Sequence, residues 1–175
     1  MGRRLRTLGG LGLLLLGACA SPSPPRARAV GLPSYDVQGV NGQPSTWPAV
    51  LGGSVAVIDL WATWCTACER ERPKLSRLDA AYRAQGLRVI GLNVGEAQDV
   101  VRAYLARNPV PYAVYLDPDF RIADALGDNQ LPTLLVVDRA GRIVRRSPSL
   151  DAPTLAEVKA LLASAAPSVT TRGQP

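Results

Sequence analysis

Hydrophobic residues along this chain fall into two patterns, short unbroken runs and segments with helical spacing. Residues 55–60 are apolar except at one position, as in a strand that is covered on both faces. Within 65–84, Leu75, Leu78 and Tyr82 recur at the spacing of one helix face. Strands that alternate with helices in this way predict an α/β domain with a largely parallel sheet and an antiparallel hairpin at its edge. The further predicted strands lie at 87–94, 110–116 and 134–137, and the further predicted helices at 96–107, 120–126 and 152–165.

A hairpin signal lies near the start of this domain. Asn41-Gly42 separates two short strand-like runs within 35–47, and this dipeptide favours the tight turn of a β-hairpin. A plain loop is the alternative. We place the folded domain at 35–166, with the hairpin as its N-terminal extension. Residues 167–175 are expected to form a disordered tail because they lack periodic apolar positions.

Residues 1–18 have the features of an export signal. Three arginines precede an apolar core at 8–16, which is shorter than the roughly 20 residues that span a bilayer. The Leu-Gly-Ala sequence before Cys19 resembles a bacterial lipobox, which implies cleavage before Cys19 and a lipid on its sulfur. An ordinary secretory cleavage that leaves a free thiol is the alternative. Residues 19–34, rich in Pro, Ser and Ala, predict a flexible tether. We therefore expect an exported, membrane-anchored lipoprotein that faces the periplasm or the cell exterior.

The charge balance gives no sign of a nucleic-acid partner. The 175 residues include 20 Lys and Arg against 14 Asp and Glu, a formal net charge of +6, and three of the arginines lie in the export signal. The other basic residues are scattered, whereas a nucleic-acid footprint clusters them on one stripe. The chain has no histidine, which excludes a histidine base and histidine metal ligands.

Two cysteines separated by two residues carry the candidate chemistry. Cys65 and Cys68 lie where the predicted strand 55–60 passes into the predicted helix, and a C-x-x-C at such a junction indicates a redox dithiol. Free N–H groups and the dipole at a helix N-terminus stabilise a thiolate there. We assign Cys65 as the attacking thiolate and Cys68 as the resolving thiol. The alternative, half of a zinc site, needs two more ligands, and the only other cysteine is Cys19.

Carboxylates flank this pair. Asp59 interrupts the buried strand, so its pKa should rise, and behind Cys68 it would accept the thiol proton. Alternatively, Asp59 points outward at the strand end. Glu69 and Glu71 follow the cysteines, and their negative charges should raise the thiol pKa and make the dithiol less oxidising than an oxidase with a strongly acidic thiol. Glu71 either tunes the pKa of the Cys68 thiol or is a solvated helix residue.

The sequence WATWCTAC at 61–68 resembles the active site of the thioredoxin superfamily. Asp59 falls on the buried aspartate of that superfamily, which favours the proton-acceptor role, and Pro73 falls on the proline that kinks its first helix. Glu71 falls on a glutamate typical of the TlpA/ResA branch of membrane-tethered, extracytoplasmic thiol-disulfide oxidoreductases. Many members of that branch serve cytochrome c maturation. The resemblance implies a thioredoxin-like α/β fold, with a central mixed sheet flanked by helices and an N-terminal β-hairpin.

The resemblance also implies a substrate-binding surface. Pro132 matches the superfamily's cis-proline, which packs opposite the cysteines, and Leu131 before it would offer backbone groups to an extended substrate. Exposed parts of Trp64, Leu131 and Pro132 would form an apolar docking site. Thr66 and Ala67, between the cysteines, would contact the substrate and tune the reduction potential. Cytochrome-maturation reductases often have a glutamate shortly after this proline, whereas here Thr-Leu follows.

These features predict a thiol-disulfide oxidoreductase that reduces disulfides in exported proteins through Cys65 and Cys68. The resemblance implies a membrane thiol reductase as electron donor, and the lipid on Cys19 would hold the protein at the membrane. No cofactor, metal or nucleic acid is expected. A dithiol oxidase or isomerase and a non-enzymatic redox-switch binding module remain as alternatives, because the dipeptide between the cysteines does not fix the potential.

Overall fold

The computed structural model describes residues 30–31, 34–128 and 130–164, which form eight strands and four α-helices. The strands are β1 (Val30–Gly31), β2 (Tyr35–Gly39), β3 (Pro44–Trp47), β4 (Val55–Trp61), β5 (Leu87–Val94), β6 (Ala113–Asp117), β7 (Thr133–Val137) and β8 (Arg142–Ser147). The α-helices are α1 (Thr66–Tyr82), α2 (Gln98–Arg107), α3 (Arg121–Leu126) and α4 (Ala152–Ala163), and short 3₁₀ turns lie at Ala49–Leu51 and Arg83–Gln85.

The strands form one mixed sheet in the order β1-β8-β7-β4-β5-β6-β2-β3. The strands β4, β5 and β6 are parallel to one another, while β7, β8 and the β2–β3 hairpin pair antiparallel. Strand β4 lies between β5 and β7, and all seven of its residues are buried. The predicted thioredoxin-like α/β fold with a central mixed sheet and flanking helices is confirmed.

Each face of the sheet has its own core, which explains the unbroken apolar run at 55–60. Successive strand residues point to opposite faces. Ile58 and Leu60 pack in one core with Ile122 and Leu126 of α3. Val55 and Val57 pack in the other core with Leu75 and Leu78 of α1 and Val158 of α4, which cover that face. A strand covered on both faces has no solvent side and therefore no polar alternation.

Several predicted element ends differ from the structure. Helix α1 begins at Thr66 because Cys65 is its N-cap. Helix α2 begins at Gln98 and not at 96, because its N-cap residue Ala97 still has an extended backbone. Strand β6 begins at Ala113, after a segment with two prolines that cannot donate a ladder hydrogen bond. Helical spacing places Val100 on the apolar face of α2, but this is wrong, since its side chain is 47% exposed.

The predicted N-terminal hairpin is confirmed. Strands β2 and β3 pair antiparallel around Asn41-Gly42, and Gly42 has a φ of 90°, a value that favours glycine. Val30–Gly31, inside the segment predicted as a tether, pair with β8. The predicted export signal, Cys19 and the tail at 167–175 lie outside the described residues. No helix in the described part of the chain combines the length and apolar character that crossing a membrane requires.

Candidate active site

The two cysteines of the motif form a disulfide at the start of α1. Cys65 is the N-cap residue, and its sulfur accepts a hydrogen bond of 3.1 Å from the backbone N–H of Cys68. The Cα atoms of the pair are 5.3 Å apart. Both residues are buried, Cys65 at 5% and Cys68 at 1% exposure. After reduction, the same N–H and the helix dipole would stabilise a thiolate on Cys65.

A carboxylate from the neighbouring strand connection fixes the turn that carries the disulfide. Glu96 accepts hydrogen bonds from the backbone N–H of Thr63 at 2.7 Å and from its hydroxyl at 2.5 Å. Asn93 at the end of β5 donates to the same carboxylate at 2.7 Å. In the parallel register Asn93 lies beside Trp61, so the carboxyl ends of β4 and β5 meet at this turn. Glu96 was not predicted, because only the pairing of β4 with β5 brings it next to Thr63.

An arginine and two aromatic rings lie against the first turns of α1. The Arg72 guanidinium is 4.7 Å from the Tyr104 ring centroid and 5.8 Å from the Trp61 ring centroid, within the range of cation–π contacts. Arg72 also donates to the Tyr104 hydroxyl at 2.7 Å, and that hydroxyl donates to Glu69 at 2.9 Å. This network joins α1 to α2 beside the disulfide and holds a positive charge there.

Asp59 is fully buried in β4, so the predicted alternative in which it points outward is wrong. Neither carboxylate oxygen has a hydrogen-bond partner among the described residues. The pKa of Asp59 is raised from 3.8 to about 7, mainly by burial and also by the charge of Glu71, while the charge of Arg72 opposes the shift. The predicted upward shift of the pKa is confirmed. Because these two charges belong to α1, the carboxylate lies under the helix that carries Cys68.

Tyr112 belongs to the same buried polar group and was missed from the sequence. Its side chain is 8% exposed, and its hydroxyl has no hydrogen-bond partner in the described part of the chain. Burial raises the pKa of the Tyr112 hydroxyl, and the charge of Asp59 raises it further. The phenol therefore stays protonated in the buried environment that it shares with Asp59. Tyr112 gives no sequence signal because only the sheet brings it near Asp59.

Glu71 is buried at 5% exposure, so the alternative of a solvated helix residue is wrong. One carboxylate oxygen pairs with Lys74 at 2.7 Å, and the other accepts the backbone N–H of Leu150 at 2.9 Å. These bonds tie α1 to the segment before α4. The negative charge of Glu71 acts on Asp59 by raising its pKa. A direct effect of Glu71 on Cys68 stays a prediction.

The residues expected to bind substrate differ in how exposed they are. Trp64 is 68% exposed, and Leu131 and Pro132 are half-buried. The Leu131–Pro132 peptide bond is cis, as predicted, and Leu131 packs against the cluster that contains both cysteines. A second cis bond, Trp47–Pro48, was not anticipated. Between the cysteines, Thr66 is exposed and Ala67 is half-buried, and their contact with a substrate stays a prediction.

The fold and the site together define a thioredoxin-like protein with a redox-capable pair of cysteines. The chain belongs to the AhpC/TSA family, whose model matches residues 30–146. The described residues contain no group of three or more His, Cys, Asp and Glu side chains placed to hold a metal ion.

Similar proteins agree with the resemblance to the TlpA/ResA branch. The chain is 30% identical over 95 residues to the thiol-disulfide oxidoreductase ResA of Halalkalibacterium halodurans. The aligned region covers 54% of each protein. It is 27% identical over 113 residues to ResA of Bacillus subtilis, and this region covers 65% of this chain and 63% of that one. The chain thus spans between about half and two thirds of these relatives. A thioredoxin-family thiol:disulfide interchange protein of Chlorobium tepidum has a similar structure, with a TM-score of 0.65, 26% identity, and coverage of 78% of this chain and 98% of that one.

Proposed function

We propose that this protein is an extracytoplasmic thiol-disulfide oxidoreductase that reduces disulfides in exported proteins through Cys65 and Cys68. The observation that carries the proposal is the disulfide at the N-terminus of α1, with the Cys65 sulfur accepting the Cys68 N–H. That arrangement stabilises the leaving and attacking thiolate on Cys65. The names of the ResA relatives support the same activity.

The first step joins the substrate to Cys65 through a mixed disulfide. In the reduced protein, the Cys65 thiolate attacks one sulfur of a substrate disulfide, and the other substrate sulfur leaves as a thiolate. The product is a mixed disulfide between Cys65 and the substrate. Trp64, Leu131 and Pro132 form the apolar surface against which the substrate chain would lie, with backbone groups of Leu131 pairing to it.

The second step releases the product. The Cys68 thiol transfers its proton to Asp59, and the resulting thiolate attacks the Cys65 sulfur. The second substrate sulfur leaves as a thiolate, and the Cys65–Cys68 disulfide forms again. Two electrons have then passed from the protein to the substrate. A pKa of about 7 suits Asp59 for this role, because the carboxylate accepts a proton readily near neutral pH. Glu71 would assist by keeping that pKa high.

The electrons and the location follow from the expected export. A membrane thiol reductase would supply electrons, since the space outside the cytoplasm is oxidising. A lipid on Cys19 would hold the protein at the membrane. Detergent phase partition tests the anchor: the wild-type protein should enter the detergent phase, and a Cys19→Ser variant should stay in the aqueous phase. Equal partition of both proteins would argue against the lipid.

The redox equilibrium of the Cys65–Cys68 pair against glutathione tests the direction of the reaction. A potential near that of thioredoxin, about −270 mV, is expected for a reductant. A value near that of the periplasmic oxidase, about −120 mV, would instead support the oxidase or isomerase alternative. Glu69 and Glu71 beside the pair favour the lower potential, because negative charge disfavours the thiolates that an oxidant stabilises.

A trapping experiment separates the enzyme from a redox-switch binding module. In a Cys68→Ser variant, Cys65 should accumulate mixed disulfides with exported proteins, because no resolving thiol releases them. The matched Cys65→Ser variant keeps one thiol of the pair, Cys68, but should trap no substrate because that thiol is buried. Absence of mixed disulfides in both variants would favour a binding module whose dithiol is a switch or a structural bridge.

A further inference from the structure

A groove of about 460 Å³ lies directly beside the disulfide turn. Its apolar lining comes from Trp64, Val94, Phe120 and Leu131, and its acidic lining comes from Asp119, Asp124 and Asp128. Trp64 and Leu131 also belong to the surface proposed to meet the substrate. The groove therefore continues the proposed docking surface away from the cysteines, toward the turn before α3.

Phe120 is held in this groove against its own backbone preference. It has a φ of 57° and a ψ of 15°, the left-handed region that a bulky residue rarely adopts, and its side chain is 43% exposed. The backbone N–H of Phe120 donates to the Asp117 carbonyl at 3.2 Å, and the Asp117 carboxylate accepts the N–H of Ala123 at 2.9 Å. These bonds fix the turn and present an aromatic ring to solvent.

Gly95 provides the floor under that ring. A Cβ at this position would overlap the ring of Phe120, and the φ of Gly95 is 73°. Glycine thus lets the backbone after β5 pass directly below the phenylalanine. Phe120 is thus an exposed aromatic residue in an unfavourable backbone conformation, and Gly95 leaves room for its ring. Such strained, exposed aromatic residues are typical of binding surfaces.

Two of the three aspartates at the rim of the groove carry negative charge that the described residues leave uncompensated. Asp128 pairs with Arg146. Asp119 and Asp124 are exposed, and neither has a basic group within ion-pair distance in the ranges that the structure describes. The guanidinium of Arg121 lies instead over the Tyr35 ring, 5.2 Å from its centroid. The acidic rim stands out in a chain whose formal net charge is +6.

We propose that this groove binds a segment of the partner polypeptide in which an apolar side chain lies beside lysine or arginine, close to the reacting cysteine. The apolar side chain would pack between Trp64 and Phe120, and the cationic groups would pair with Asp119 and Asp124. The inference rests on the proposed function, since it names the class of substrate that the same site prefers. It makes Phe120 and the two aspartates specificity residues outside the cysteine motif.

Matched peptides test the preference. The full chain with Cys19→Ser and Cys68→Ser keeps Cys65 as its only thiol. Short peptides carry one cysteine as a mixed disulfide with thionitrobenzoate, whose release reports attack by Cys65. One peptide has leucine and arginines near the cysteine, the second replaces the arginines with glutamates, and the third replaces the leucine with serine. The uncharged hydroxyethyl disulfide gives the intrinsic rate of Cys65, to which every peptide rate is normalised.

The leucine–arginine peptide should react about fivefold faster than the leucine–glutamate peptide at low salt. The gain is expected because two exposed ion pairs, with Asp119 and Asp124, favour binding of the arginine peptide. Asp119→Asn/Asp124→Asn should reduce that ratio to within about twofold. The control Asp99→Asn/Glu157→Gln makes the same change in net charge outside the groove and should keep the full ratio. Phe120→Gly should remove the advantage of leucine over serine, because glycine accepts the left-handed backbone but has no ring.

Other outcomes overturn the proposal. Equal rates for the arginine and glutamate peptides, or a ratio that the Asp119/Asp124 variant leaves intact, would show that the groove does not select cationic segments. A tenfold or larger gain in affinity for the basic peptide in Arg26→Ala/Arg28→Ala would assign the groove to the chain's own N-terminal segment. An inert Cys65 toward hydroxyethyl disulfide would refute the proposed function alone. Calorimetry with cysteine-free forms of the same peptides would then decide whether the groove binds them.

Discussion

The burial of Asp59 should make the stability of the oxidised protein depend on pH. The folded-state pKa of about 7 lies above the ordinary value of 3.8, so the native state binds more protons than the unfolded chain between these values. The contribution of protonated Asp59 to the stability is therefore fully present below about pH 4 and is lost as the pH rises through about 7. From these two pKa values, the loss is about 2 kcal/mol at pH 5 and about 4 kcal/mol at pH 8.

Asp59→Asn removes this dependence because the amide does not ionise. The unfolding free energy of the variant, relative to wild type, should therefore rise by about 2–3 kcal/mol between pH 5 and pH 8. Any fixed cost of packing the amide is the same at both pH values and cancels from this comparison. The two cysteines do not contribute, since they are joined in the disulfide.

Chemical denaturation at the two pH values, followed by tryptophan fluorescence on the oxidised proteins, measures the effect. Val57→Ala on the same strand is the matched control. It removes buried apolar atoms without a titrating group, so its destabilisation should be the same at both pH values. If the difference in unfolding free energy between wild type and Asp59→Asn is the same at both pH values, the reasoning is refuted. A change of opposite sign would also refute it.

Three further substitutions test the supports of the site by denaturant unfolding. Glu96→Ala should cost about 2 kcal/mol, because it leaves the polar groups of Thr63 without their acceptor, whereas an effect under about 0.5 kcal/mol would show that the turn holds without it. Asp117→Ala should cost about 1–2 kcal/mol by uncapping α3, and an unchanged midpoint would contradict that role. Phe120→Gly should be about 1 kcal/mol more stable than Phe120→Ala, since only glycine tolerates the left-handed backbone, and the reverse order would remove the strain argument.

The sequence allowed the prediction of those parts of the site whose signals are local. The apolar run 55–60 predicts a strand covered on both faces, and the strand–cysteine–helix order places Cys65 at a helix N-terminus. Both follow from neighbouring residues alone. The aspartate inside that run predicts its own raised pKa, because a carboxylate in a strand with no solvent side must be desolvated.

The remaining parts of the site depend on which strands become neighbours. Glu96 supports Thr63 only because β4 and β5 are parallel and in register, so that Trp61 lies beside Asn93. Tyr112 reaches the environment of Asp59 from the segment before β6. The backbone conformation of Phe120 depends on hydrogen bonds to Asp117 and on the absence of a side chain at Gly95. Periodicity within one element carries no information about such contacts between elements.

The position of β4 between β5 and β7 has a consequence for how the chain folds. The β4–β5 pairing needs only the intervening helix α1, whereas β7 follows β4 after three helices and two further strands. The second pairing therefore has high contact order and closes a long loop. A chain that ends before residue 133 would leave one side of β4 as an unprotected apolar edge, a template for association with other chains. The strand that leads into the cysteines is thus completed only by the last quarter of the sequence, and truncated products should aggregate instead of forming a smaller active unit.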